Sequence, residues 1–401
     1  MSDEMSEKRK SSHRRKSRKV KKRPLPFDSP SHVAAALAVI AVMIGAVLVV
    51  TKWDSISPDA IEDSAKFSDS SGNDNSVGIA GSTVLERNFQ SIDSGLMYIS
   101  DTSIMQLNHN CEKVYSEKHS FTNPLIRSSN DYSIAFGEGS GSFRIIHDSH
   151  KIYEGMQGNS ITDCDINDSG TYCILSDQTG YLSSLNVYDK TNKFLYSYSF
   201  SDFYAVCVSI SPDSKKVAVG AVNSSNGQLV SKVYLLDVTK SDPVNTYTYD
   251  DQLIYEVNFI SEDRFAVVTD MLTTVIKSDG SGEVPYSYSS QFLTAYDTCY
   301  GSGIVLSLSK SDDGRNCKLV TLDAEGHEIT AMQTDLRVMA IDAAADREAV
   351  LSYGKLSLYT VYGDLFNEWD IGTDAKSVLL PQNKTAYILG VSGITKMNLK
   401  Y

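Results

Sequence analysis

Tryptophan occurs twice in 401 residues, histidine seven times and cysteine six times. Each scarcity removes a class of protein. The cysteines (Cys111, Cys164, Cys173, Cys207, Cys299 and Cys317) are scattered and form no Cys-x-x-Cys, so neither a disulfide-built fold nor a zinc ribbon is encoded. No Gly-rich phosphate loop, Gly-x-Ser-x-Gly elbow or His-Glu-x-x-His is present. From residue 83 onward no amphipathic helical stretch of ordinary length occurs. Basic charge is scarce in the body of the chain. Residues 1–32 carry +7, whereas the rest carries −20 of the net −13. Phosphate would be repelled by such a surface, which excludes nucleic acid as a partner of the main domain.

What is present falls into four segments. Residues 1–32 form a basic tail without apolar periodicity, expected to be disordered. Its expected role is to fix topology and touch anionic lipid; docking of an intracellular partner, or phosphorylation at Ser11, Ser12 or Ser17, is the sharper alternative. Residues 33–51 contain an uncharged run, VAAALAVIAVMIGAVLVV, that as a helix would be about 27 Å long, close to a bilayer's hydrocarbon layer. It has no polar face and is followed by Thr51-Lys52-Trp53-Asp54 rather than a small-x-small cleavage site, so it reads as a signal anchor. Eleven basic residues precede it and only Lys52 lies close behind, which predicts a cytoplasmic amino terminus and an extracellular carboxyl-terminal domain. Residues 52–82 are rich in Ser, Asp and Gly and read as a flexible acidic spacer.

Residues 83–401 carry a repeat. Short continuous apolar runs (LMYI, YSIAF, YCIL, VAV, FAVV, IVLSL, AVLSY and AYIL) start 36–48 residues apart. Runs of this length are strands, and apolar residues at consecutive positions mean that both faces are covered. Each sits in a meander of four strands joined by polar turns, as in ITDCDI-NDSG-TYCIL and VCVSI-SPDSKK-VAV. Such a unit must stack against copies of itself, which predicts an all-β fold, a β-propeller. Strand counting favours eight blades, with seven as the alternative. The last unit lacks a fourth strand. Val84–Phe89 can complete the first unit, and a stretch just before it could close the last.

The phrases SPDSKKVAVGAV, KVYLLDV, LDAEGHEI and YGDLFNEWDI resemble elements of WD-repeat-like and quinoprotein-like propellers. The whole layout, with VSKVYLLDV (Val230–Val238) and the following DDQLIYEVNFISED, resembles an uncharacterised Firmicute, chiefly clostridial, family of single-span proteins with an extracytoplasmic propeller. That resemblance implies tethering at a bacterial surface and supplies no catalytic residues. The Gly-His and Trp-Asp pairs of true WD repeats are missing, Trp369-Asp370 apart, and two tryptophans are too few for repeated quinone-docking motifs. No cofactor is expected.

Candidate sites are sparse. His147 and His150 flank a polar turn beside Asp148, and read as a solvated turn before a metal site. Asp312-Asp313-Gly314 begins like a calcium loop but lacks the alternating oxygens and the distal Glu. Folding ITDCDI back over Asn167–Gly170 sets Cys164 opposite Cys173, either as a disulfide or as two small buried apolar residues. Tyr196, Tyr198, Tyr247, Tyr249, Tyr286 and Tyr288 read as outer-strand filler ahead of a carbohydrate platform. Two stretches exceed the turns found elsewhere, Ala221–Ser231 and Ser309–Asn316. Both join second to third strands, so both should open on one end of the ring. They nominate Asn223, Ser225, Asn226, Gln228, Asp312, Asp313 and Arg315 as partner-binding residues. The expectation is a binding or scaffolding module for a protein or cell-wall polymer. The alternatives are a polysaccharide or peptidoglycan hydrolase or lyase, favoured by a convergent carboxylate pair on one face, and a sensor.

Overall fold

A computed structural model describes residues 76–399 apart from Asn226, Ser302, Asp312, Gln382 and Asn383. The basic tail, the apolar run and residues 52–75 of the spacer lie outside the described residues. Thirty-two strands form eight antiparallel four-stranded sheets. Strand β1 (Ser76–Gly78) is followed by seven meanders: β2–β5 (residues 84–118), β6–β9 (124–156), β10–β13 (161–200), β14–β17 (204–250), β18–β21 (254–287), β22–β25 (292–333) and β26–β29 (338–370). Strands β30–β32 (377–398) take β1 as their fourth member. First strands of neighbouring blades pack side by side at β2/β6, β6/β10, β10/β14, β14/β18, β22/β26 and β26/β30, and β30 packs beside β2. Strands β18 and β22 are joined by Asn258 Nδ2 donating to Thr298 Oγ1. The fold is an eight-bladed β-propeller, and the choice between seven and eight blades is resolved.

The second strand of every blade is the greasiest because it is enclosed on both faces. Leu96, Met97, Tyr98 and Ile99 of β3 (Gly95–Ser100) are buried, as are Phe265, Ala266, Val267 and Val268 of β19 (Arg264–Thr269). Alternate residues of one strand enter different inter-blade cores. Val217 and Val219 join the core toward the preceding blade, whereas Ala218 joins the core toward the following one. Fourth strands alternate buried and exposed residues, as in β17 (Asn245–Asp250), and make the rim.

Closure is made by β1, where Val77 pairs with Ile394 of β32 (Gly393–Asn398). Among the described residues the ring thus includes Ser76 onward, inside the stretch read as spacer. Ile79 and Ala80 then enter the core shared by the first and last blades, and the Ala80 N–H donates to the Tyr98 hydroxyl at 3.0 Å. The Tyr387 hydroxyl donates across the same seam to the His109 carbonyl at 3.0 Å.

The Cys164–Cys173 pairing is corrected. The turn after β10 (Ile161–Ile166) holds five residues, not four, because Ile166 pairs with Tyr172. That single residue slips the register, so Cys164 faces Ile174 and Cys173 faces Asp165. The two thiols then point to opposite faces of the blade and enter different cores. Both are free and buried.

The closure and the register can each be tested. Removing residues 1–82, and β1 with them, exposes the edge of β32 and should convert a monodisperse ring into an aggregating one, whereas removing residues 1–71 should not; light scattering compares the two. Within the closing segment, Ile79→Ala should cost about 2–4 kcal/mol in urea unfolding. Titration of the unfolded, non-reduced chain should find six thiols, and a count of four would restore a bridge.

Candidate functional site

The inner strands face a special problem. Each presents one edge to the axis, where no further strand supplies hydrogen bonds to its N–H groups. Polar side chains from the neighbouring blade fill that role at four inner strands, and at others an amide side chain bonds across instead. The Ile210 N–H donates to Asp165 Oδ2 at 2.8 Å, and the Phe259 N–H donates to Ser209 Oγ at 3.1 Å. Asn258 Nδ2 donates to Thr298 Oγ1 at 2.7 Å. The Ala343 N–H donates to Asp297 Oδ2 at 2.8 Å, and the Leu380 N–H donates to Asp342 Oδ2. On the far side, Asn88 Nδ2 donates to the Pro124 carbonyl at 2.8 Å. One position of successive inner strands is thus a tie between blades.

That position reaches the axis through a repeated device. Strands β10, β14 (Tyr204–Ile210), β18 (Ile254–Phe259), β22 (Phe292–Cys299) and β26 (Val338–Ala344) each carry a one-residue bulge near their start. A bulge resets the alternation of side chains. The third residue beyond it is Asp165, Ser209, Asn258, Asp297 or Asp342. The first residue beyond it is Asp163, Cys207, Glu256, Ala295 or Ala340, at the next level along the axis. Arg127 of β6 (Pro124–Ser129) donates to Asp163 Oδ1 at 3.2 Å, while Asp163 Oδ2 accepts from the Val208 N–H at 3.2 Å.

Beyond these ties an axial cavity of about 730 Å³ opens on one end of the ring. Asp165, Asp297 and Asp342 line it, with Asp93, Asp168 and Tyr300 nearer its mouth. Enclosure by protein raises the pKa of Asp165 to about 6, against the N–H donors from Ile210 and Ile166. Asp297 is likewise raised to about 6 by burial, opposed by N–H donors from Ala343 and Thr298. Burial raises Asp342 further, the charge of Asp297 adds to it, and the Leu380 N–H opposes it. Glu256 is pushed up to about 7 by burial, against the Tyr296 hydroxyl and the Arg127 charge. Away from the axis, buried Glu348 accepts from Thr321 Oγ1 at 2.6 Å, and its burial raises it to about 7.

A convergent set of carboxylates therefore exists, as the hydrolase alternative requires. Its placement has a simpler cause. Ser209 and Asn258 make inter-blade bonds from the same position with no acid, so the common job is tying blades together.

The residues nominated from sequence lie elsewhere. Connections between second and third strands open on the end opposite the cavity. Ala221–Ser231 is not a loop: β15 (Lys216–Ser225) and β16 (Gln228–Asp237) run on as the longest hairpin of the ring, with Ser225 paired to Gln228. Ser225 and Gln228 are exposed, while Asn223 is half-buried and donates to the Asp202 carbonyl. Asn226 and Asp312 lie outside the described residues. Asp313 is engaged within its own turn, accepting from Ser311 Oγ at 2.5 Å and from the Arg315 N–H at 3.2 Å. The structure brings neither group together with the axial carboxylates.

His147 and His150 pair across a two-residue turn in which Asp148 and Ser149 have positive φ. The His147 ring stacks on Tyr132 at 3.8 Å, and His150 Nδ1–H donates to the Asp148 carbonyl at 2.6 Å. Of the rim tyrosines, Tyr196, Tyr247, Tyr249 and Tyr288 are buried between blades, which removes their rings from any carbohydrate platform.

Comparison with known proteins adds a family and a fold. Residues 72–399 match a family of unknown function, DUF5711. The chain belongs to that family. No curated protein matches it. Among solved structures it is similar to BamB from Moraxella catarrhalis, at 10% identity and a TM-score of 0.52, covering 80% of this chain and 99% of that one. It is also similar to the computationally designed Ika8 protein, at 10% identity and a TM-score of 0.53, covering 82% of this chain and 98% of that one. Identity this low speaks for the fold alone.

This member of the family should show its axial acids in pH-dependent stability. A carboxyl whose pKa is raised by folding keeps its proton in the native state while the unfolded chain releases it. Stability is then lost as pH rises from about 4 through about 6. Asp297→Asn keeps an acceptor for Ala343, removes that charge and relieves Asp342. The variant should match the wild type near pH 4 and exceed it at pH 8 by about 1–3 kcal/mol. Urea unfolding at the two pH values reads the difference.

Proposed function

We propose that the protein is a membrane-anchored, extracytoplasmic binding or scaffolding module at the bacterial cell surface. The observation that carries the binding part is the shared position of Asp165, Ser209, Asn258, Asp297 and Asp342. A position that holds acid, hydroxyl or amide, and joins neighbouring blades whether it accepts a backbone N–H or donates to a side chain, is a tie, not a reacting pair. The anchoring part rests on the uncharged run at residues 33–50 with eleven basic residues before it and one close behind. The Ser-, Asp- and Gly-rich stretch that begins at residue 52 would serve as the spacer between that anchor and the ring. The basic tail would rest on anionic lipid at the inner leaflet. Partners of this module are proteins or cell-wall polymers.

The hydrolase or lyase reading draws on Asp297 and Asp342, which share the cavity wall and feel each other's charge. One experiment separates the two. Intact cells are treated with protease and with a membrane-impermeant crosslinker, and purified wall is incubated with the protein. The binding module predicts a protease-shaved propeller, a defined crosslinked partner and no soluble wall fragments. Fragment release that disappears in Asp297→Asn would establish the enzyme instead. Protection of the propeller from protease would reverse the proposed topology.

A further inference from the structure

The end of the ring opposite the axial cavity is the apolar one. Nineteen large apolar side chains are exposed among the described residues. Ten emerge on this end, two on the cavity end and seven on the outer rim. Five of the ten lie on three consecutive blades. Tyr204 and Phe292 begin the inner strands β14 and β22, Leu253 and Tyr255 stand at the start of β18, and Met271 caps the turn after β19. Each is 41–52% exposed. Tyr255 is the bulge residue of its strand, so the bulge that aims Asn258 at the axis also turns this ring outward.

Backbone bonds join the segments that carry Leu253, Met271 and Phe292, and Tyr204 pairs with Val222 of the long hairpin. The Leu253 N–H donates to Asp270 Oδ1 at 2.9 Å, and the Asp270 N–H returns to the Leu253 carbonyl at 3.1 Å. The Tyr288 N–H donates to the Met271 carbonyl, and the Gln291 N–H next to Phe292 donates to the Tyr288 carbonyl, both at 3.0 Å. On the other side the Asp251 N–H donates to the Leu229 carbonyl, joining the surface to the long hairpin. Tyr255 lies close enough to Asp270 to feel its charge. The rim is acidic on balance: Asp202, Asp250 and Asp251 are exposed and Asp270 is half-exposed, against exposed Lys310 and half-buried Lys232, whose ammonium lies over the Phe203 ring.

We infer that this surface docks a protein segment that presents basic and apolar side chains together. Charge decides the occupant. A second copy would bring the same acidic rim against itself, and a neutral or acidic polysaccharide offers no cation. A Lys- or Arg-bearing segment with Leu- or Phe-type anchors would meet the aspartates with its charges and cover Tyr255 and Met271 with its apolar face. The inference rests on the binding-module reading and names its surface and the chemistry of its partner.

The test uses the full chain in detergent and three labelled synthetic peptides of equal length: Lys/Leu, Glu/Leu and Lys/Ser. The Lys/Leu peptide should bind at least tenfold more tightly than either of the others, with affinity falling as salt rises. Tyr255→Ser combined with Met271→Ser should weaken it at least tenfold, and Asp250→Asn with Asp251→Asn should flatten the salt dependence. Tyr362→Ser on the opposite end should change nothing, and circular dichroism of the variants keeps misfolding apart from lost binding. Equal binding of Glu/Leu, or undiminished binding by the double serine variant, overturns the inference. So does Lys/Leu binding that emerges only after residues 1–32 are deleted, because the chain's own basic tail would then be the occupant. If the double serine variant still crosslinks its partner on cells, this surface is wrong and the binding module stands.

Discussion

Every blade of this protein is apolar on both faces, and that fact dictates the rest. A sheet with two greasy faces has no stable exposed state, so it must be sandwiched, and the sheets that sandwich it need the same treatment. A line of such sheets would leave two faces bare at its ends. A closed ring leaves none. The cost of closing falls at one seam, where a strand of three residues, Val77 within it, supplies the edge that the last meander lacks. Ile79, Ala80 and Tyr98 then fill the seam's core, so the closure is held by packing as well as by backbone bonds.

Closing the ring creates the polar axis. Eight inner strands converge with an edge apiece that no ninth strand can reach, and their N–H groups need acceptors. The bulges of five consecutive inner strands bring Asp, Ser or Asn to the right place, and each side chain ties its blade to the next. Where the tie is a carboxylate, enclosure works against its charge, which is why Asp165 and Asp297 titrate near 6. The acidic cavity is therefore a consequence of how the ring is held together. Function built on it would have to borrow groups already in structural use.

The fold was legible because its signal is local and strong. Leu96–Ile99 and Phe265–Val268 are consecutive apolar residues, and only a strand enclosed on both faces needs them. What was hidden depends on partners distant in the chain. Ser76–Gly78 sits in a Ser- and Asp-rich context and becomes a strand only because β32 offers an edge. Ala221–Ser231 looks like a loop by its Asn, Ser and Gly content, yet its backbone pairs across a two-residue turn. The Cys164–Cys173 register turned on whether Thr171 belongs to the turn or to the strand. The axial ties did leave a trace. A polar residue recurs just before the end of the first strand in ITDCDI, CVSI, YEVNF, AYDTC and AIDAA, as Asp165, Ser209, Asn258, Asp297 and Asp342. Aligning the repeats on their strand ends, with a one-residue offset for β22 and β26, would have exposed it.

The same bulge links the two ends of the molecule. By resetting the alternation of β18 it turns Asn258 toward the axis and Tyr255 toward solvent, so a device that closes the ring also shapes its apolar end. In the neighbouring inner strands the bulge residue is Thr162, Val206, Thr294 or Met339, and none of these is as exposed as Tyr255. The backbone geometry is common to five blades, whereas the aromatic ring is particular to one. Stability requires the bulge and is indifferent to what it displays, so the side chain there is free to serve recognition. That freedom, on a frame rigid enough to hold neighbouring blades in fixed register, separates the residues that build this protein from those with which it meets another.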